Sequence, residues 1–164
     1  VFSDGAVDAG SALLAESLPE KLPAKMADLG AGWGYLAGPV LARKGVQSLD
    51  LIEAEALSLD CARLNVTDPR VKFHWADAMQ FQSKPGFDGV VMNPPFHTGR
   101  ASEPHLGRAF IAAAARVLAS HGKLWMVANR HLPYEQALRD SFRNVEEIAG
   151  NGAFKVFHAT RPNR

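Results

Sequence analysis

Two hydrophobic rhythms take turns along this chain. Short runs of consecutive apolar residues alternate with longer stretches in which apolar positions recur every three or four residues. The runs predict seven strands, at Lys25–Leu29, Gln47–Ile52, Val71–Trp75, Phe87–Met92, Lys123–Ala128, Val145–Ile148 and Ala153–Ala159. The longer stretches predict helices near Ser11–Leu18, from Gly34 to about Arg43, over Glu55–Asn65, over Glu103–Ala119 and near Tyr134–Phe142. Ser11 is a candidate cap for the first helix. Strands alternating with helices predict an α/β fold, a doubly wound, mostly parallel seven-stranded sheet of Rossmann-like type. No helix separates the last two strands, so an antiparallel pair, with an antiparallel edge strand, is expected at one side. The 164 residues contain no repeat, low-complexity run or linker and read as one domain.

Composition narrows this picture little: 47% hydrophobic and 21% charged residues suit a globular chain and exclude a disordered or fibrous one. The longest apolar stretch, Ala109–Ala119, is interrupted by Arg116 and falls short of the roughly 20 residues a membrane helix needs. No secretory signal pattern is present, and a single cysteine, Cys61, forms no internal disulfide, so a cytoplasmic setting without a membrane partner is expected. Charge adds more. Residues 1–82 hold 7 Lys/Arg against 11 Asp/Glu, a net −4, and residues 83–164 hold 11 against 6, a net +5. That asymmetry predicts a basic face on the second half, with Arg100, Arg108 and Arg130 as candidate contacts to a polyanion.

In a doubly wound sheet a ligand sits outside the carboxyl ends of the strands, where strand order reverses. The first strand ends in Asp28-Leu29-Gly30-Ala31-Gly32-Trp33-Gly34. Such a turn lets backbone N–H groups and a helix start approach a bound nucleotide-like group closely. Glu53 ends the second strand, 19 residues past Gly34, where an acid accepts hydrogen bonds from ribose hydroxyls; Asp77 follows the third strand, placed to accept from an adenine amino group. A dinucleotide enzyme would carry an acid near position 53 as well. Asn93-Pro94-Pro95-Phe96 after the fourth strand discriminates. Proline carries no N–H and has a fixed φ, so this segment offers rigid acceptors without competing donors. The Asn93 side-chain oxygen and the Pro94 carbonyl can each take one hydrogen of a planar NH2, while Phe96 stacks on the ring that bears it.

These pieces carry a resemblance. ADLGAGWG, LIEAE, FHWADAM and VMNPPFH resemble the class I S-adenosylmethionine-dependent methyltransferases with the N-P-P-[FY] signature. FSDGAVDAGSALL, VANRHLPYEQAL and GAFKVFHATR are similar to the catalytic half of the bacterial small-subunit ribosomal RNA guanine-N2 methyltransferases, over Phe2 to about Arg161. The resemblance implies S-adenosylmethionine as cofactor, no metal, ribosomal RNA or the small ribosomal subunit as partner, and a degenerate methyltransferase-like domain preceding this one in the whole protein. It implies that Asp28 and the loop of Gly30, Ala31, Gly32 and Gly34 hold the methionine part, Glu53 the ribose, and Asp77 with the Ala78 N–H the adenine. Asn93, Pro94, Pro95 and Phe96 would hold the target base, Asn93 would line the cofactor site as well, and Asp8, Gly10 and Ser11 would close over the cofactor. The family usually has Cys where this chain has Ala31, and a smaller residue than Trp33.

The expected chemistry is direct displacement at the sulfonium methyl, with no strong base, so His97 is expected to shape or pack the loop. Three other readings stay open on sequence: a protein glutamine-amide methyltransferase, a DNA adenine-N6 methyltransferase, and a non-catalytic S-adenosylmethionine-binding platform for RNA.

Overall fold

The computed structural model describes residues 5–95, 97–98, 101–102 and 104–164, with side chains described for 9–95 and 105–164. The first half runs α1 (Gly5–Ser17), β1 (Lys25–Leu29), α2 (Ala37–Leu41), β2 (Ser48–Glu53), α3 (Ala56–Asn65), β3 (Val71–Trp75) and β4 (Phe87–Met92). A small ladder of β5 (His97–Thr98) with β6 (Ala101–Ser102) follows, then α4 (Pro104–Val117), β7 (Leu118–Asn129), α5 (Glu135–Ser141), β8 (Phe142–Gly150) and β9 (Phe154–Pro162). Seven strands form one sheet in the order β3-β2-β1-β4-β7-β9-β8. The first five are parallel, and β9 pairs antiparallel with both β7 and β8. Chain order reverses between β1 and β4, which places the switch point between their carboxyl ends.

The central strands β1, β2 and β4 are buried along most of their length, because helices cover both faces of the sheet, and are mainly apolar apart from acids such as Asp28. Alternation then assigns each side chain to a face. Ala27, Leu29, Val90 and Met92 pack with Phe110, Ile111, Ala114 and Leu138 of α4 and α5. Met26 and Val91 share the other face with Leu14 and Leu18 around α1 and with Ala37 and Val40 of α2. Asp28, between Ala27 and Leu29, therefore faces the α1 side, and so does Asn93, two residues past Val91.

The structure departs from the sequence reading in three places. α1 starts by Gly5, so Ser11 lies inside the helix and is not its cap. α2 has only five residues, because Gly38 and Pro39 fall within it, one costing about 1 kcal/mol relative to Ala and the other lacking an N–H. α4 ends at Val117 and passes directly into β7, which is twelve residues long. The last two strands form the expected antiparallel pair at one side of the sheet: β9, with its apolar core buried, takes the inner position, and β8, largely exposed, forms the edge where polar side chains discourage further pairing.

Candidate active site

The glycine turn and the Asn-Pro-Pro turn meet at the switch point. Gly30, Gly32 and Gly34 have φ of 76°, 59° and 94°, a left-handed conformation that other residues adopt only with strain. A Cβ on Gly30 would lie 3.2 Å from the Phe110 ring and 3.9 Å from Pro95 Cδ. This position therefore joins the first loop to α4 and to the proline turn. A Cβ on Gly32 would meet nothing within 4 Å, so this part of the loop faces open space.

The loop N–H groups are used differently from the sequence expectation. Gly30 and Ala31 both donate to the Ile52 carbonyl, at 2.8 and 3.0 Å, and Gly34 donates to the Ala31 carbonyl at 3.1 Å. Gly32 donates to Glu53 Oε1 at 2.7 Å. The turn is thus closed onto the end of β2, and α2 is too short to present a helix start to a ligand. Trp33 packs edge-on against Tyr35, with ring centroids 5.6 Å apart, and its carbonyl accepts from Asn65 Nδ2.

Two acids lie beside this loop. Glu53 spans it, with Oε2 accepting from the Glu55 N–H at 2.9 Å. Asp28 is 2% exposed and its Oδ2 has no hydrogen-bond partner. Burial first, and the nearby Glu53 carboxylate second, push the Asp28 carboxyl up to about 8. A buried acid with one oxygen unpartnered, next to a second acid and an open loop, is the electrostatic complement of a cationic ligand. Beyond Glu53, whose carbonyl accepts from the Ala76 N–H, comes Asp77. It is exposed, and its Oδ1 accepts from the Met79 N–H at 3.0 Å, while Ala78 is buried behind it. Trp75, 70% exposed with its indole N–H donating to the Ala54 carbonyl, stands opposite Glu53 in register. From sequence alone Trp75 is only a strand end; its exposure depends on β3 being the sheet edge.

Across the crevice Pro94 is buried and Asn93 half-buried, and Asn93 Nδ2 donates to Ser11 Oγ at 3.1 Å. Gly10 and Ser11 of α1 therefore adjoin the proline turn. Phe96 and Arg100 lie outside the described residues, as do the side chains of Asp8 and His97. The structure thus brings Ser11, Asp28, the glycine loop, Glu53 and Asn93 to Pro95 to one crevice, with Asp77 on the next strand exit. The large open cleft of about 740 Å³ is elsewhere, at the amino ends of the strands beside Lys21, Asp88, Lys123 and Trp125.

The basic half is less free than its net charge suggests. Arg116 donates to the Ala78 and Phe81 carbonyls, Arg164 to those of Ala115 and Leu118, and Lys155 is buried against Glu135. Arg130 is tied to the Asn151 carbonyl and to Glu147. Arg108 is exposed on α4.

A doubly wound sheet with a glycine turn, an acid ending the next strand and an Asn-Pro-Pro turn at the switch point defines a class I S-adenosylmethionine-dependent methyltransferase domain. The chain belongs to the methyltransferase small domain family, whose model matches residues 1–158. It is 33% identical over 158 residues to the ribosomal RNA small subunit methyltransferase C of Shewanella piezotolerans, an alignment covering 96% of this chain and 46% of that protein. It is 32% identical to the ribosomal RNA large subunit methyltransferase G of Aeromonas hydrophila, over 98% of this chain and 44% of that protein. Among solved structures, the T. thermophilus 16S rRNA N2 G1207 methyltransferase in complex with AdoMet and guanosine superimposes with a TM-score of 0.78 at 30% identity, covering 98% of this chain and 45% of that one. The chain spans about half the length of the curated relatives it matches.

Proposed function

We propose that this domain transfers a methyl group from S-adenosylmethionine to the exocyclic N2 of a guanine in ribosomal RNA, in the cytoplasm, with the small ribosomal subunit or its RNA as partner. The observation that carries this reading is the juxtaposition of Asn93-Pro94-Pro95 with the glycine turn, seen in the approach of Pro95 to Gly30. The guanosine-bound relative, similar over 98% of this chain, supports the choice of base.

The residues present suit the cofactor. Its ammonium and sulfonium charges match the acid pair of Asp28 and Glu53, and Asp28 Oδ2 is an orphaned acceptor awaiting a donor. Asp28 and the Gly30, Ala31, Gly32 and Gly34 loop would hold the methionine part, Glu53 the ribose, Asp77 and the Ala78 N–H the adenine, and Asp8, Gly10 and Ser11 would close the site. When bound, the cofactor supplies an electrophilic methyl group. The Asn93 side-chain oxygen and the Pro94 carbonyl would accept the two N2 hydrogens of the guanine, and Phe96 would stack on its ring. Accepting those hydrogens withdraws the nitrogen lone pair from the ring as the nitrogen becomes tetrahedral, and this interaction strengthens toward the transition state. No base is required before transfer, because the methylated nitrogen is cationic and acidic enough to lose its extra proton to solvent afterwards. A paired guanine must first leave its helix, at a cost of about a few kcal/mol.

The discriminating experiment is tritiated methyl transfer to protein-free ribosomal RNA, assembled subunits, DNA and protein. Label on N2-methylguanine in RNA is expected, and label only on glutamine or adenine would overturn the reading. Two further outcomes follow at the binding level. Glu53→Ala and Asp77→Ala should each weaken S-adenosylmethionine binding by about 1 to 3 kcal/mol, the range for hydrogen bonds to a charged group. Parent-like calorimetric affinities for both would show that the adenosine lies elsewhere. Binding of RNA should weaken steeply with salt, and Arg108→Gln should reduce the slope of log affinity against log salt by about one phosphate contact. An unchanged slope removes Arg108 from the RNA face. Arg130 is a poorer probe, because its loss would also release the β8–β9 turn.

A further inference from the structure

We propose that Ser11 is a positioning residue for methyl transfer, acting through Asn93 to set the plane of its amide. The inference rests on the reading of Asn93 as the group that meets the target NH2. Pro94 and Pro95 stiffen the backbone after Asn93, but they do not fix its side chain, whose terminal torsion has broad, roughly two-fold freedom. Ser11 Oγ, 3.1 Å from Asn93 Nδ2, restrains that torsion. Ser11 is 7% exposed, so little water competes for this bond.

The two residues are 82 positions apart, and the bond exists only while α1 is docked on the sheet. Docking is secured by Leu14, fully buried, and by Ala15 and Leu18 on the same core face. It is also close: a Cβ on Gly10 would lie 3.1 Å from the Phe154 ring. A hydroxyl one residue after this contact is held at a fixed height above the end of β4. The opening helix thereby sets the geometry of the group that aims the substrate nitrogen. This role differs from closing over the cofactor, the one the family resemblance implies for Ser11.

The two roles separate in a double-mutant cycle between Ser11→Ala and Asn93→Ala, with protein-free ribosomal RNA as substrate and S-adenosylmethionine affinity measured by calorimetry. Ser11→Ala is expected to lower the single-turnover rate at saturating cofactor about tenfold, the value of one net hydrogen bond, and to leave cofactor affinity within a factor of two of the parent. In the Asn93→Ala background the same change should cost nothing further, because the group it positions is gone. Ser11→Cys, nearly isosteric but a weak hydrogen-bonding partner, should reproduce the rate loss and guards against a packing defect in the alanine variant. A weakened cofactor affinity with an unchanged saturated rate, additive effects in the cycle, or a parent-like rate for both Ser11 variants would each overturn the proposal. These results are distinct from failure of the site itself. A parent-like rate for Asn93→Ala sinks the reading of Asn93, whereas a slow Asn93→Ala beside fast Ser11 variants sinks only the role of Ser11.

Discussion

Asn93→Ala should lower methyl transfer by about 10² or more while leaving S-adenosylmethionine affinity nearly intact. The loss follows from where the interaction is made. An acceptor that meets both substrate and transition state equally would change KM, but the Asn93 oxygen gains most as the nitrogen becomes tetrahedral and its hydrogens become more acidic, so its removal falls on the chemical step. Losing one preorganised polar group at a reacting centre costs about 3 kcal/mol in comparable sites. Asn93→Asp is the sharper variant. It keeps an acceptor and exchanges the amide donor for a second oxygen; the Ser11 hydroxyl, which can donate as well as accept, can turn to meet it. The added charge also stands on the side of the sheet that already carries Asp28. The aspartate variant should therefore be faster than alanine and slower than the parent in single-turnover transfer. A parent-like rate for Asn93→Ala would refute the site.

The second large effect concerns Asp28 and pH. Its carboxyl titrates at about 8 in the folded chain against 3.8 as a free side chain. Below about pH 4 both folded and unfolded chains hold the proton, and the group contributes no slope. Between about 4 and 8 the unfolded chain releases the proton and the folded chain keeps it, so stability falls as pH rises, by at most about 1.4 kcal/mol per pH unit from this residue. Above 8 both have lost it and the slope ends. Asp28→Asn removes that contribution. Its amide adds a buried donor, which costs about 1 to 3 kcal/mol at every pH. The variant should therefore be less stable than the parent near pH 4.5 and match or exceed it near pH 7.5. Urea unfolding at both pH values tests this, and parallel stability profiles would show that Asp28 is ionised in the folded chain. The same logic reaches binding: a cationic cofactor favours the ionised acid, so binding below pH 8 should release close to one proton in the parent and none in Asp28→Asn. Calorimetry in buffers of different ionisation enthalpy reads that number.

Both predictions depend on features with different visibility in the sequence. The order of strands and helices was legible because apolar runs of five or six residues and three-to-four-residue periodicities are local signals. Each of the seven main strands was placed, and the turns rich in glycine, acid and proline fell at strand ends as the pattern required. The glycine turn and Asn93-Pro94-Pro95 were legible as well, because each draws on a local backbone property: positive φ at Gly30, Gly32 and Gly34, and a missing N–H with restricted φ at the two prolines; Glu53 was legible from its place at the end of the second strand.

Other properties depend on packing between residues distant in sequence. That Gly32 donates to Glu53, and that the loop N–H groups are turned into the fold, depends on β2 lying beside β1. The burial of Asp28 depends on helices covering both faces of the sheet, and its raised carboxyl depends on Glu53 arriving from the neighbouring strand. Ser11 looked like a cap because a serine opening an apolar stretch usually is one; the helix extends past it, and its hydroxyl is held by a residue 82 positions away. The net charge of +5 in the second half was a sum over residues, and only the folded chain decides which cations are exposed, as with Arg108, and which are spent on carbonyls and acids, as with Arg116, Arg130, Lys155 and Arg164. Local patterning was enough for the order of the elements, the turn chemistry and the family. The tertiary structure decided which groups face each other across the crevice, because those distances and desolvation costs exist only once the strands are side by side.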